Sequence, residues 1–160
     1  MYLEISHCIS NLSRKTFHQL KGESMKHEEV KEIVAKWLQN KHTLPEIIGK
    51  EDFMPDILVY TEQQSDGNKT IYHRYLQVEC KKTNDSIERA LGQCLHYYTI
   101  FNGLFTYLAV PADFSKLQEL QEILGFVNLP IGLLIVHHDG RVETIKEAEG
   151  KETERELSNI

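Results

Sequence analysis

The stretch YLQVECKK, residues 75–82, decides how this chain is read. Leu76, Val78 and Cys80 alternate with Tyr75, Gln77, Glu79 and Lys81, the period of two that a strand requires. Glu79 and Lys81 therefore share one face, and their apolar neighbours turn to the core. An acid and an amine so placed have two explanations. One is an exposed ion pair worth less than about 1 kcal/mol. The other is the working end of a metal-binding catalytic edge. The apolar Leu76-Val78-Cys80 face and the helix predicted next favour a central strand over an edge.

Working outward, DILVY (56–60) reads as the preceding strand, and Asp66-Gly67 between the two is a good hairpin turn. TLPEIIGKEDFMPDILVY (43–60) carries a weaker strand ahead of it. After residue 82, Asp85 with Glu88 three positions on has the form of a capping box. It opens a helix over SIERALGQCLHYYTIFN, where Arg89, Gln93 and Tyr97 stack at i, i+4, i+8. LFTYLAVP, DFSKLQELQEILGF and IGLLIVHH then read as strand, amphipathic helix and strand. Asp139-Gly140 turns the chain back into RVETI. His137 and His138 sit at the mouth of that turn, on opposite faces, which makes a shared metal difficult.

Upstream, residues 23–39 have a helical period. Val30, Ile33, Val34, Trp37 and Leu38 form an apolar stripe. Winding the helix places Glu23 and His27 on that stripe, and Glu28, Glu29 and Glu32 at its side or back. The predicted order is α-β-β-β-α-β-α-β, an α/β domain with a mixed central sheet flanked by helices. The sequence does not set the oligomeric state, and strand 131–136 is a candidate edge for a homodimer.

A chain of 160 residues is one domain by length. The expected domain covers 1–146, with its core at about 22–110. The Glu-rich stretch 147–160 reads as a solvated tail. Hydrophobic residues make up 41% and charged residues 26%, which is ordinary for a soluble protein. No apolar run is long enough to span a bilayer, and no basic leader with a long apolar region opens the chain. Three cysteines without close CxxC spacing argue for a reduced, intracellular (cytoplasmic) setting. A net charge of -6 weighs mildly against nucleic acid as partner, although the local field matters more than the total.

Some polar residues stand where apolar ones would be cheaper: Glu23, His27, Asp56, Glu79, Lys81, Gln93 and Tyr97. A hairpin brings Asp56 and Glu79 onto adjacent strands, where a Mg²⁺ or Mn²⁺ ion can sit between them. Hard cations take one or two carboxylates and keep several waters. Such an ion would activate a water and stabilise charge on a phosphate. Lys81 would orient that water or balance the transition-state charge.

PDILVY (55–60) and VECKK (78–82) together resemble the PD-(D/E)xK nuclease superfamily, through Asp56, Glu79 and Lys81. QCLHY (93–97) is similar to the QxxxY element of the RecB-like nucleases, and ESMKH (23–27) resembles their first-helix element. The resemblance covers about residues 22–110. It implies a restriction-endonuclease-like core and metal-dependent hydrolysis of DNA, endonucleolytic or exonucleolytic. It further implies metal ligation by Asp56, Glu79 and the Cys80 backbone carbonyl, with Glu23 or His27 completing the shell and Glu28 or Glu29 as competitors. Gln93 and Tyr97 would position the site or the DNA strand. Lys82 and Arg89 have two readings of their own, contacts to phosphates of a bound strand or an ordinary solvated surface. The competing function is a DNA- or protein-binding module on the same scaffold, without turnover.

Overall fold

Strand β3 (Thr70–Cys80) is the axis of the fold in this computed structural model, which describes residues 24–41, 44–47, 54–64 and 70–156. On one side β3 pairs antiparallel with β2 (Ile57–Gln64), Ile57 standing opposite Val78. On the other it pairs parallel with β4 (Phe105–Pro111). β1 (Leu44–Ile47) extends the sheet beyond β2, and β5 (Gly132–Val136) and β6 (Val142–Lys146) extend it beyond β4. The β2–β3 pairing is the hairpin expected from Asp66-Gly67, although those two residues lie outside the described ones.

Parallel neighbours need crossovers, and a helix supplies each. α2 (Ile87–Ile100) joins β3 to β4, and α3 (Leu117–Phe126) joins β4 to β5. Both pack on one face of the sheet, where Ile87, Ala90, Cys94, Leu120 and Leu124 meet Leu108, Val110 and Leu133. α1 (His27–Gln39) packs on the other face, with Val30, Val34 and Leu38 against Ile57, Val59, Val78, Cys80, Ala109 and Leu134. Each Val, Leu or Ile among them contributes about 1.5–3 kcal/mol when fully buried. The fold is thus α/β, with a mixed sheet between helices. Burial on both faces explains the near-continuous apolar runs of β4 and β5.

Four sequence expectations are revised. The buried stripe of α1 is Val30, Lys31, Val34, Ala35 and Leu38. Ile33 and Trp37, placed on the stripe by their apolarity, are only partly buried. The inward face is therefore turned by about 60° at 100° per residue, which carries Lys31 inside.

The cap of α2 is Ser86, whose hydroxyl accepts from the Arg89 N–H at 3.2 Å. Asp85 instead accepts from the Lys82 N–H at 3.0 Å and closes the turn before the helix.

β5 is no dimer edge. It lies between β4 and β6 and is hydrogen-bonded on both sides.

The Glu-rich end is not wholly tail, because β7 (Thr153–Glu156) pairs antiparallel with Ile71–Arg74 of β3. β3 is longer than β4, and β4 pairs only with Leu76–Cys80. The free stretch of that edge is what β7 covers. Asp139-Gly140 makes the β5–β6 turn as read, with Gly140 at φ 88°, and His137 and His138 sit beside it, bonded to Glu143 and Asp113.

Candidate active site at the end of the β2–β3 pair

Alternation along β3 carries Gln77, Glu79 and Lys81 to the α2 side, and all three are buried. Three polar groups in a row beneath a helix need partners, because an unpaired buried polar group costs about 1–3 kcal/mol. Gln77 Nε2 donates to Thr106 Oγ1 at 2.8 Å. Lys81 Nζ donates to Glu79 Oε1 at 2.6 Å and to Gln93 Oε1. Gln93 faces inward because the helix that Ser86 caps turns that position toward the end of β3. Tyr97, one turn further along α2, is buried beside Leu58, Tyr60 and Phe101.

Asp56 precedes the first residue of β2. Extending the Ile57–Val78 register by one places it beside Glu79. Its Oδ2 accepts from the Cys80 N–H at 2.7 Å and lies 3.2 Å from His27 Nε2. Its Oδ1 lies 3.5 Å from Lys31 Nζ. The start of α1 is fixed over this end of the sheet by the Met25 N–H, which donates to Thr83 Oγ1 at 3.1 Å, just past Lys81.

The two acids feel opposite environments. Burial works against the charge on Asp56, but the His27 hydrogen bond, the Cys80 N–H and the Lys31 charge together hold its pKa below the usual aspartate value. Burial also works against the charge on Glu79, and there the nearby Asp56 charge adds to it. Lys81 does not fully offset the two, so the Glu79 pKa is raised. The Asp56 hydrogen bond is the main cause of a raised His27 pKa. Desolvation, with the charges of Glu79 and Asp56, pushes the Tyr97 hydroxyl up to about 12 and keeps it protonated.

Two buried oxygens in this row have no hydrogen-bond partner, Gln77 Oε1 and Glu79 Oε2. Of the two, Glu79 Oε2 carries charge, and a buried carboxylate oxygen with unused lone pairs, near a second carboxylate, suits a hard cation. Asp56 and Glu79 fit such an ion by charge and donor type. The ligand set is sparse, however: among the described residues no group of three or more His, Cys, Asp and Glu side chains is arranged to hold a metal.

Of the predicted site residues, these contacts join His27 to Asp56 and the Cys80 N–H in one group and Glu79, Lys81 and Gln93 in another, and the β2–β3 register sets the two groups side by side. Tyr97 lies close enough to feel both acids. Cys80 takes part through its N–H, and its thiol is fully buried. Lys82 and Arg89 are exposed and outside the buried cluster. Glu28 faces solvent, 3.7 Å from both His27 Nδ1 and Lys31 Nζ. Glu29 turns back to the Lys26 N–H at 3.1 Å. Glu23 lies outside the described residues. Lys31 and Gln77 were missed in the sequence. The signal for Lys31 was its place four residues after His27; for Gln77 it was the same alternation that exposed Glu79.

Among the described residues no helix is long and apolar enough to cross a membrane. In comparisons with known proteins, no family model, no curated protein and no solved structure matches the chain.

Proposed function

We propose that the protein is a Mg²⁺- or Mn²⁺-dependent nuclease that hydrolyses phosphodiester bonds in DNA, built on a restriction-endonuclease-like core. The observation that carries this reading is the buried Glu79, with one oxygen on Lys81 and the other unpartnered, next to Asp56 at the end of an antiparallel pair. Asp56, Glu79 and the Cys80 carbonyl would hold the cation. When bound, it would supply water activation and charge stabilisation at the phosphate.

The remaining roles belong to the chain itself. Lys81 brings a positive charge to the place where negative charge builds on the phosphate oxygens. Gln93 fixes the Lys81 ammonium from the α2 side, so the amine does not have to be ordered when substrate arrives. Tyr97, protonated at any physiological pH, can donate or accept a hydrogen bond or act as a wall, but does not serve as a base. His27 holds Asp56 in place and occupies the Oδ2 atom. Serving as a metal ligand would require it to lose its Nδ1 proton while Nε2–H stays on Asp56, or to give up the Asp56 contact and bind through Nε2.

A second reading has its own observation. Each acid is already matched by a cation, Asp56 by His27 and Lys31 and Glu79 by Lys81. A network so balanced can also serve as the charged core of a module that binds DNA or protein without turnover.

Incubation with linear, circular and single-stranded DNA, in Mg²⁺, in Mn²⁺ and in chelator, separates the two. The nuclease reading expects cleavage of at least one substrate, abolished by chelator. Binding without cleavage under every condition favours the module.

A further inference from the structure

Lys31 is the charged residue of this cluster that the nuclease reading leaves without a task. It is 6% exposed, on the inner face of α1 among Val30, Val34 and Ala35. Packing alone does not call for an ammonium there, since an apolar side chain would fill that stripe without the desolvation that a buried charge incurs. Its contact explains the placement. Asp56 Oδ2 is engaged by the Cys80 N–H and by His27, while Oδ1 faces Lys31 Nζ at 3.5 Å. The unpartnered carboxylate oxygen, Glu79 Oε2, belongs to the other acid.

In two-metal phosphodiester chemistry a carboxylate is shared between ions roughly 3.5–4 Å apart. Here one oxygen of the Asp56 carboxylate already faces a fixed positive charge, the Lys31 ammonium. We infer that Lys31 takes the place of a second cation, so that the site accepts one divalent ion, on the Glu79 side of Asp56. This rests on the metal-dependent reading above. The fixed charge offsets that of Asp56 on its Oδ1 side, repels a second dication there, and leaves a single ion with Lys81 to meet the phosphate.

Counting Mn²⁺ bound to the full-length chain, from the loss of the free-ion electron paramagnetic resonance signal, tests this without reference to cleavage. Wild type is expected to bind one ion. Lys31→Met, which keeps length and apolar stem, is expected to bind a second ion or to bind the first about tenfold tighter, a change of about 1.4 kcal/mol. Lys31→Arg keeps the charge and is expected to stay at one. Two ions on wild type overturn the inference, and that result needs no variant to fold. Unchanged number and affinity in a folded Lys31→Met also overturn it, while leaving the metal site standing. If wild type binds no ion, like Asp56→Asn, the metal-dependent reading falls and the inference falls with it.

Discussion

Lys81 Nζ, just past the end of β3, lies 2.6 Å from Glu79 Oε1 two residues before it, and both side chains are buried. Removing one partner of a buried pair strands the other charge, at a cost of about 3–5 kcal/mol. Lys81→Met is therefore expected to be strongly destabilised in chelator at neutral pH. Lys81→Met with Glu79→Gln should recover most of that loss. Denaturant unfolding of the four proteins in the cycle measures the coupling, and simple additivity would contradict the pairing.

Glu79 also gives a pH signature. Burial and the neighbouring Asp56 raise its pKa. A raised acid contributes stability that is present below its unfolded pKa and lost as pH rises through the folded value. Glu79→Gln cannot ionise, but it also leaves the buried Lys81 ammonium without its anion, so the signature lies in the pH dependence and not in the absolute melting point. Measured in chelator, the stability of wild type relative to Glu79→Gln should fall as pH rises from about 4 to 8. Millimolar Mn²⁺ should restore it at pH 8, because an ion that binds only the folded wild type stabilises it by about 2.7 kcal/mol at a hundred times Kd. A Glu79→Gln protein stabilised by Mn²⁺ as much as wild type would remove Glu79 from the metal site.

His27 and Asp56 shift apart. The histidine pKa rises above 6.5 and the aspartate pKa falls below its usual value. The aspartate contribution is lost as pH falls through its lowered value, and the histidine contribution is lost as pH rises through its raised value. Between those limits both are charged. The stability gap between wild type and His27→Ala, measured in chelator, should be largest at roughly pH 5–6 and should shrink toward pH 8. A gap that does not change over that range would mean the pair is not formed in solution.

Gln93 touches Lys81 and neither acid. Its side chain is half-buried, so Gln93→Leu is expected to cost little stability, about 1 kcal/mol for one hydrogen bond. The rate should suffer more, because a catalytic amine misplaced by about 1 Å can lower turnover by about 10²-fold. Gln93→Glu should keep Lys81 in place and restore part of the rate. Full activity in Gln93→Leu would deny Gln93 any positioning role.

Much of the scaffold could be read before any coordinates, because its signals are local. Period-two alternation set Glu79 and Lys81 on one face, and β3 shows them there. The Asp66-Gly67 turn implied the β2–β3 pairing that lines up Asp56 with Glu79. Other parts depended on contacts made at a distance. Lys31 is inside because α1 turns its Val30-Val34-Leu38 line to the sheet, whereas the apolar count included Ile33 and Trp37. Ser86 caps α2 because Asp85 is taken by the preceding turn. β7 forms because β3 outruns β4, a length difference that no Glu-rich composition reveals.

The central claim is that Asp56, Glu79 and Lys81 form one metal-dependent hydrolytic site. Single-turnover cleavage of an end-labelled DNA in Mn²⁺, compared among wild type, Glu79→Ala and Lys81→Ala, tests it most directly, with circular dichroism to confirm folding. The account predicts that wild type cuts and that each folded variant is slower by about 10²–10³-fold or more. A folded Glu79→Ala protein that cuts as fast as wild type would contradict it.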